Sequence, residues 1–584
     1  MAYKNLVKMQ EDACKKFGSN PMFGKKIKGS YEWITFAEFG EKVDQFRSGL
    51  AQLGVSKGDK VAIIAGNSAD WAIAAYATYG LGGVFVPMYE KQAIPECQYI
   101  VADCDAKVLL VASDETKAAF EAEIEKTPSL KHIVTKSKWP EIIASGKKRP
   151  RPSQSPGTND IQGIIYTSGT TGKPKGVLLS HGNILANVEE VAREFSFNQN
   201  DRMLSFLPWA HIFAQAGELH LALRVGFSVA FNNSINDLGE DLAAVKPTVL
   251  IAVPRIFQKI HQGVLQKMAA SGGLIEKSFR EGMELATRKS KGEYVGVLRY
   301  LKLLLINNVI FAKITARFGG RLRFCISGAA ALNSETAQFM TNLGIDVYEG
   351  YGLSETSPII ACNTPKSTKL GSVGKVASYA KVNLDHSALG DNDEEGEIVA
   401  YGPMIMQGYL NRPDDTKAVM TDDGGFRTGD IGRIDKEGYL YITGRIKEQY
   451  KLQNGKYIVP TVLEEKLKTS PYISQVLVSG ANQNYNVALI VPEMEALTRY
   501  AQDCSIPTKP IDKMLESAKI IKLFEDILES KQKSFKGYEK IRAFKLVAEE
   551  WTPENGMLTQ TLKVKRREVI KLNQPVIDSL YGGS

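Results

Sequence analysis

The sequence predicts an α/β protein, with a large N-terminal part built on buried, largely parallel sheets and a smaller C-terminal domain after it. Two observations lead there. Short apolar, β-rich runs alternate with longer stretches of helical period throughout the chain, as in βαβ units whose strands are covered on both faces. After Gly444–Gly455 the remaining 140 or so residues form a compositionally distinct, lysine-rich block with short strands and two helical stretches.

In chain order the runs are KVAIIAG (Lys60–Gly66), GVFVPM (Gly83–Met88), AKVLLVA (Ala106–Ala112), TVLIAV (Thr248–Val253) and LRFCISG (Leu322–Gly328). Each is too short for a helix of ordinary length and rich in the branched residues that suit a pleated surface. Between the third and fourth, KKRPRPSQSPGTND (Lys147–Asp160) is rich in proline, serine and charge, and reads as a solvated connector between two such layers. The most apolar long stretch, Leu301–Ala312, carries Lys302, Asn307 and Asn308 and falls short of the roughly 20 residues needed to span a bilayer. It reads as a core or interfacial helix. No fixed-period repeat is visible.

Composition narrows the function classes. The chain has 584 residues, 43% hydrophobic and 24% charged; a disordered or fibrous protein is excluded, and at about 150 residues per domain roughly four structural units are expected. A net charge of +8 is small for this length and does not call for nucleic acid, while it suits polyanionic small substrates or anionic lipid surfaces. Six scattered cysteines without a CxxC pair argue against a disulfide framework and a cysteine-built zinc site. The N-terminal MAYKNLVKMQEDACKKFG has no apolar core or small-residue cleavage site, so a reducing, cytoplasmic compartment is expected.

The first chemical motif is IIYTSGTTGKPKGV (Ile164–Val177), an apolar strand running into a loop of hydroxyls, glycines and lysines. Glycines let backbone N–H groups approach phosphate oxygens, and hydroxyl and ammonium groups complete an anion cradle. It is not a Walker A loop: five residues before Gly172 stands Thr167, and Lys173 is followed by Pro174. No GxGxxG follows the first strand, so a dehydrogenase is not supported.

Over Tyr166–Val177 the sequence resembles the AMP-forming adenylating enzymes, the superfamily of acyl-CoA synthetases, firefly luciferase and peptide-synthetase adenylation domains. The resemblance extends along nearly the whole chain through LPWAHIF (Leu207–Phe213), ISGAAAL (Ile326–Leu332), YEGYGLSET (Tyr348–Thr356), FRTGDIG (Phe426–Gly432), TGRIKEQYKLQNGKYI (Thr443–Ile458) and TLKVKRRE (Thr561–Glu568), in the family's order. It implies stacked α/β subdomains with a barrel-like portion over residues 1–445, a small mobile α/β domain over 446–584, and a cleft between them as the active site. It also implies two half-reactions. A carboxylate attacks the α-phosphorus of ATP to give acyl-AMP and pyrophosphate, and a thiol, usually that of coenzyme A, then displaces AMP. Because two anions repel, the first step calls for Mg²⁺ and cationic side chains.

The resemblance implies these roles. Thr167, Ser168, Gly169, Thr170, Thr171 and Gly172 cradle the β- and γ-phosphates, with Lys173 and Lys175 nearby. Tyr351 offers an aromatic face to adenine, and Gly350 and Gly352 let the nucleotide lie against the backbone. Glu355 holds Mg²⁺, a hard cation suited to a carboxylate, and Thr356 stands at the α-phosphate. Asp430 takes the ribose hydroxyls with Arg445, although alone it could equally form an Asx-turn after Gly429. Lys563 reaches the substrate carboxylate and α-phosphate, with Lys565 as the competing assignment; Gln560 stands where long-chain members commonly have proline.

His211 falls near the phosphates and acyl carboxylate. Trp209, Ile212 and Phe213 suit the mouth of an apolar pocket. Gly328, Ala329 and Ala330 suit an acyl site, with Ala331 in place of the usual proline. Lys447 is the hinge position, and Lys451 is the candidate for thioesterification.

The run KEQYKLQNGKYIVP is similar to that of long-chain fatty acid:CoA ligases, and the helical region Gln262–Gly319 suits this subgroup and contact with a membrane surface. The expected partners are therefore a long-chain fatty acid, ATP and coenzyme A, with peripheral membrane contact and a homo-oligomer both compatible and no nucleic acid. A fatty acyl-AMP ligase loading a carrier protein is the alternative. A non-catalytic binder would show substitutions at Glu355, Asp430 or Lys563, and all three are present.

Overall fold

All five apolar runs form strands, and their neighbours are parallel, because side chains covered on both faces leave only the βαβ arrangement. The computed structural model describes residues 3–167, 173–388, 394–559 and 563–582. One sheet has seven strands, in the order Gly408–Tyr409, Lys175–Ser180, Ile161–Thr167, Val84–Met88, Lys60–Ile64, Ala106–Val111, His132–Thr135. Lys60–Ile64 is parallel to both its neighbours, whereas Ile161–Thr167 and Lys175–Ser180 are antiparallel. The helix Ala69–Tyr79 is buried almost all round, as befits a crossover helix enclosed by other layers.

A second sheet of nine strands contains, side by side, Asp346–Gly352, Phe324–Ser327, Val249–Ala252, Arg202–Ser205 and Ser228–Phe231, and these five are mutually parallel. Its interior is aromatic: Trp209 packs edge-on against Trp71 at 5.6 Å and Phe231 at 5.3 Å between ring centroids. Further on, Lys381–Asp385, Gly396–Tyr401, Phe426–Ile434 and Leu440–Arg445 form a four-stranded sheet.

The chain divides into two compact units, Met1–Asn383 with Val399–Thr428 and Ile434–Leu440, and Leu384–Ile398 with Gly429–Arg433 and Tyr441–Ser584. The second contains a three-stranded sheet, Ile473–Ser479, Asn486–Pro492 and Ile541–Leu546. Its core includes Leu497 and Phe524, from the helices Met494–Asp503 and Ala518–Lys531.

One sequence reading is corrected. Lys147–Asp160 does not join two layers: it returns the chain from the helix Trp139–Lys148 to Ile161–Thr167, in the same sheet as His132–Thr135. Nor is it merely solvated. Arg47 donates to the Arg151 carbonyl, Asn5 to the Pro156 carbonyl and the Gln154 N–H to Gly80 O; backbone groups that proline and serine leave outside regular structure still require partners. Among the described residues no helix is long and apolar enough to cross a membrane. All six cysteines are free thiols.

Candidate functional site

In the first unit, three candidate motifs leave the C-terminal ends of parallel strands of the nine-stranded sheet. Leu207–Phe213 follows Arg202–Ser205, Gly328–Leu332 follows Phe324–Ser327, and Gly350–Thr356 closes Asp346–Gly352. In open α/β sheets ligands bind at this edge, where loops fan out from the strand ends.

Glycine is needed at two of these positions. A Cβ on Gly328 would sit 2.8 Å from the Phe213 ring, and one on Gly352 only 1.6 Å from Pro358 O. The first contact joins two acyl-pocket candidates that lie 115 positions apart. Ala329 holds φ +69°, a left-handed conformation costing on the order of 1 kcal/mol for a residue with a Cβ. The loop is tied back by the Leu332 N–H, which donates to Glu349 Oε1 at 2.8 Å. Ala330 is exposed and Ala329 half-buried.

His211 caps the short helix that follows it, with Nδ1 accepting the Phe213 N–H at 3.2 Å. Trp209 is fully buried, so its indole belongs to the aromatic core and does not present a wall to an open pocket. Its Nε1 donates to Glu218 Oε2 at 2.8 Å, and Ser205 Oγ donates to the same carboxyl. Asn67 completes the clamp: its Nδ2 donates to Ser205 Oγ at 2.9 Å and to Leu207 O at 2.7 Å, while its Oδ1 accepts the Trp209 N–H at 2.8 Å. Burial pushes the Glu218 carboxyl up to about 8, partly offset by its bonds from Ser205 and Trp209. At neutral pH it is therefore largely protonated.

Thr167 ends the strand before the phosphate-loop candidate and pairs with Lys175 on the returning strand. Ser168, Gly169, Thr170, Thr171 and Gly172 lie outside the described residues. The strands on either side, Ile161–Thr167 and Lys175–Ser180, are antiparallel. Lys173 sits over the Tyr99 ring, 5.0 Å from its centroid. Lys175 pairs with Asp415 at 2.9 Å and lies 5.2 Å from the Tyr409 ring.

Tyr409 in turn donates to Glu355 Oε1 at 2.8 Å, so one phenol links the metal-ligand candidate to the strand leaving the phosphate loop. Burial, then the Glu355 carboxylate, raises the Tyr409 hydroxyl well above its ordinary value. Tyr351 is half-buried at the end of its strand. Thr356 is fully buried, and its hydroxyl accepts from the Leu353 N–H at 2.9 Å and donates to Pro358 O at 2.5 Å.

No group of three or more His, Cys, Asp or Glu able to hold a metal occurs among the described residues. A single carboxylate such as Glu355 fits Mg²⁺ all the same, since that ion commonly takes one or two protein carboxylates and completes its shell with phosphate oxygens and water.

In the second unit, Asp430 is 3% exposed within the strand Phe426–Ile434. Arg445 Nε donates to its Oδ1 at 2.5 Å. Lys447 lies in the turn Ile446–Glu448. Lys451 is exposed on the hairpin of Tyr450–Lys451 with Tyr457–Ile458, 5.5 Å from the Tyr457 ring.

Lys563 is exposed; its carbonyl accepts the Thr559 N–H at 2.8 Å and its own N–H donates to Thr559 Oγ1 at 3.0 Å. Lys565 instead stands at the N-cap position of the helix Arg566–Leu572, with no side-chain capping bond. Arg566 beside it is occupied by a two-pronged bond to Glu464. Gln560 lies outside the described residues.

Sequence reasoning did not single out Asn67, Glu218, Glu349 or Tyr409. Only Glu349, inside YEGYGLSET, and Glu218, seven residues after His211, lay near a motif.

The profile of the AMP-binding enzyme family matches residues 10–410, and that of the AMP-binding enzyme C-terminal domain matches 447–584. The chain belongs to the AMP-binding enzyme family. It is 30% identical over 583 residues to the long-chain-fatty-acid–CoA ligase FadD15 of Mycobacterium bovis, covering 96% of this chain and 94% of the relative. It is also 30% identical to the peroxisomal long chain acyl-CoA synthetase 6 of Arabidopsis thaliana, over 95% of this chain and 82% of that one.

Among solved structures, the adenylation domain of the carboxylate reductase of Mycobacterium chelonae superposes with a TM-score of 0.80 at 22% identity, covering 99% of this chain and 91% of that one. ATP-bound MatB of Rhodopseudomonas palustris superposes with a TM-score of 0.73 at 20% identity, covering 98% and 100%. The family's two matched segments contain every candidate except Asp430 and Arg445, which stand between them.

Proposed function

We propose that the chain is a long-chain fatty acid:CoA ligase, which converts a fatty acid and ATP to acyl-AMP and pyrophosphate and then transfers the acyl group to coenzyme A. The observation that carries this reading is the match to ligases and synthetases named for long-chain acids along nearly the whole of both chains.

In this reading the loop Thr167–Lys173 binds the β- and γ-phosphates, Tyr351 with Gly350 and Gly352 takes adenine, and Asp430 with Arg445 takes the ribose. A buried carboxylate already fixed by a guanidinium is oriented for paired hydroxyls before the nucleotide arrives. Glu355, held by Tyr409, orients Mg²⁺ at the phosphates, where the bound ion neutralises negative charge. Lys563 stabilises charge developing at the α-phosphate and the attacking carboxylate, whereas Thr356, expected there from the sequence, is buried with its hydroxyl donated to Pro358 O and braces the loop that carries Glu355.

His211 borders the reacting carboxylate, and Phe213, Gly328, Ala329 and Ala330 line the acyl chain, with Trp209 behind them as support. For the second half-reaction residues 446–584 reorient about Lys447, and Lys451 serves thiol attack. Peripheral contact with a membrane, where long-chain acids partition, belongs to the same reading, as does a cytoplasmic setting.

The test is purified protein with Mg·ATP and fatty acids of increasing length, following AMP release with and without coenzyme A. CoA-dependent AMP release that peaks with long acids is expected. Acyl-adenylate accumulating without CoA turnover would overturn the reading in favour of a ligase that loads a carrier protein.

A further inference from the structure

The helix Val297–Ile306 has two apolar faces, one buried and the other left exposed among the described residues. Leu303 and Ile306 are buried, Ile306 packing in one hydrophobic cluster with Phe279 and Phe311. On another face Val297, Leu301 and Leu305 follow one another at four-residue spacing and are 68%, 56% and 65% exposed, with Leu298 beside them at 83%; Val309, 47% exposed, stands four residues further on in the wider helical turn Asn307–Phe311 that continues the helix. Residues four apart share one side of a helix, so these form a continuous stripe. An exposed apolar stripe of this extent on a folded protein marks an interaction surface.

Charge says what that surface meets. Arg288–Arg317 contains seven Lys or Arg residues and a single acidic residue, Glu293. Glu293 is bound to Arg288 at 3.0 Å, and Lys302 is bound to Glu281 at 2.6 Å. Lys291, Arg299 and Lys313 are exposed and make no ion pair among the described residues. Tyr294 and Tyr300, amphipathic rings of the kind that settle at a membrane–water boundary, are exposed as well. A helix of ten residues is about 15 Å long and cannot cross a bilayer. A short helix with leucines on one side and cations around it suits the interfacial plane instead.

We propose that this stripe, from Val297 to Val309 with Arg299 and the neighbouring lysines, is the face by which the protein docks on an anionic lipid surface. The proposal gives the membrane contact in the functional reading a location and rests on that contact, not on the ligase chemistry. The leucines enter the acyl–headgroup boundary while the cations meet lipid phosphates, so binding needs both and weakens with salt.

The experiment is co-sedimentation of the full chain with vesicles of phosphatidylcholine alone and of phosphatidylcholine mixed with phosphatidylglycerol, at low and high salt. It compares wild type, the triple variant Leu298→Ser/Leu301→Ser/Leu305→Ser, and the double variant Arg299→Glu/Lys313→Glu. Wild type is expected to bind the mixed vesicles, with binding reduced by salt. The triple variant should lose roughly 100-fold in partitioning and the charge variant about tenfold, both keeping the wild-type melting temperature. AMP release from a soluble shorter acid in vesicle-free buffer should be the same in all three proteins.

Failure of wild type to bind, equal binding by the triple variant, or equal binding to both vesicle types overturns the proposal. So does a wild-type dimer that the triple variant converts to monomer, which would assign the stripe to a second copy. Vesicle binding by a protein that shows no ligase activity would overturn the functional reading and leave the docking face standing.

Discussion

Asp430 and Lys563, both in the second unit, present charge in opposite ways. Asp430 is 3% exposed, its backbone is part of a sheet, and its carboxylate is held by Arg445. Lys563 is exposed, its backbone joined to Thr559 by two hydrogen bonds. A rigid, prepaired carboxylate suits a partner recognised in the same pose throughout, since little ordering is left for binding to impose. An exposed cation suits a group needed for one step only. The two should therefore fail differently when removed: Lys563 in rate without loss of stability, Asp430 in nucleotide binding together with stability.

The largest expected effect is at Lys563. In Lys563→Ala the rate of acyl-AMP formation, followed by pyrophosphate release, should fall about 100- to 1,000-fold, the equivalent of roughly 2.7–4 kcal/mol for one preorganised donor at developing charge. Its melting temperature should stay at the wild-type value, as for other exposed substitutions. Adenylation at full speed would break the contrast and transfer the role to Lys565.

Asp430→Asn comes next. Loss of a charged hydrogen bond is expected to raise KM for ATP roughly tenfold, on the order of 1.5 kcal/mol, with a lowered melting temperature. The stability loss is moderated because Arg445 is 40% exposed and can turn to solvent. An unchanged KM with the same fall in stability would reduce the pair to architecture.

The smallest effect, visible only across pH, is at Glu218. Its folded carboxyl titrates at about 8 against an ordinary value of 4.5. The folded state holds the proton more tightly, so the stabilisation is fully present below about 4.5 and is lost as pH rises through about 8. Glu218→Gln cannot ionise. The difference between wild-type and variant melting temperatures should shift in the variant's favour between about pH 4.5 and 8 and level off above that. A difference that stays constant with pH would show that the carboxyl is ionised in its aromatic box.

Legibility followed sequence distance. The five apolar runs appear as strands within a residue or two of their expected limits, because a fully buried strand writes its environment into consecutive side chains. Asp430 and Arg445, fifteen positions apart, belong to motifs that could be read separately and meet in the fold. Tyr409 stands 54 positions from Glu355, and Asn67 138 from Ser205; an ordinary tyrosine or asparagine gains its role only from the strand pairing or loop closure that brings it there. The Lys147–Asp160 connector was misread for a related reason, since proline and serine mark irregular backbone but not what it packs against.

Local pattern thus settled the α/β alternation and the order of the motifs, since periodicity and residue type are properties of the chain; the candidate groups came from the resemblance those motifs carry. Which carboxyl is neutral, which tryptophan is core rather than pocket wall, and which leucines of Val297–Ile306 remain uncovered were decided by tertiary structure. Burial, dielectric and hydrogen-bond partners come from residues tens to hundreds of positions away, and no local pattern carries them.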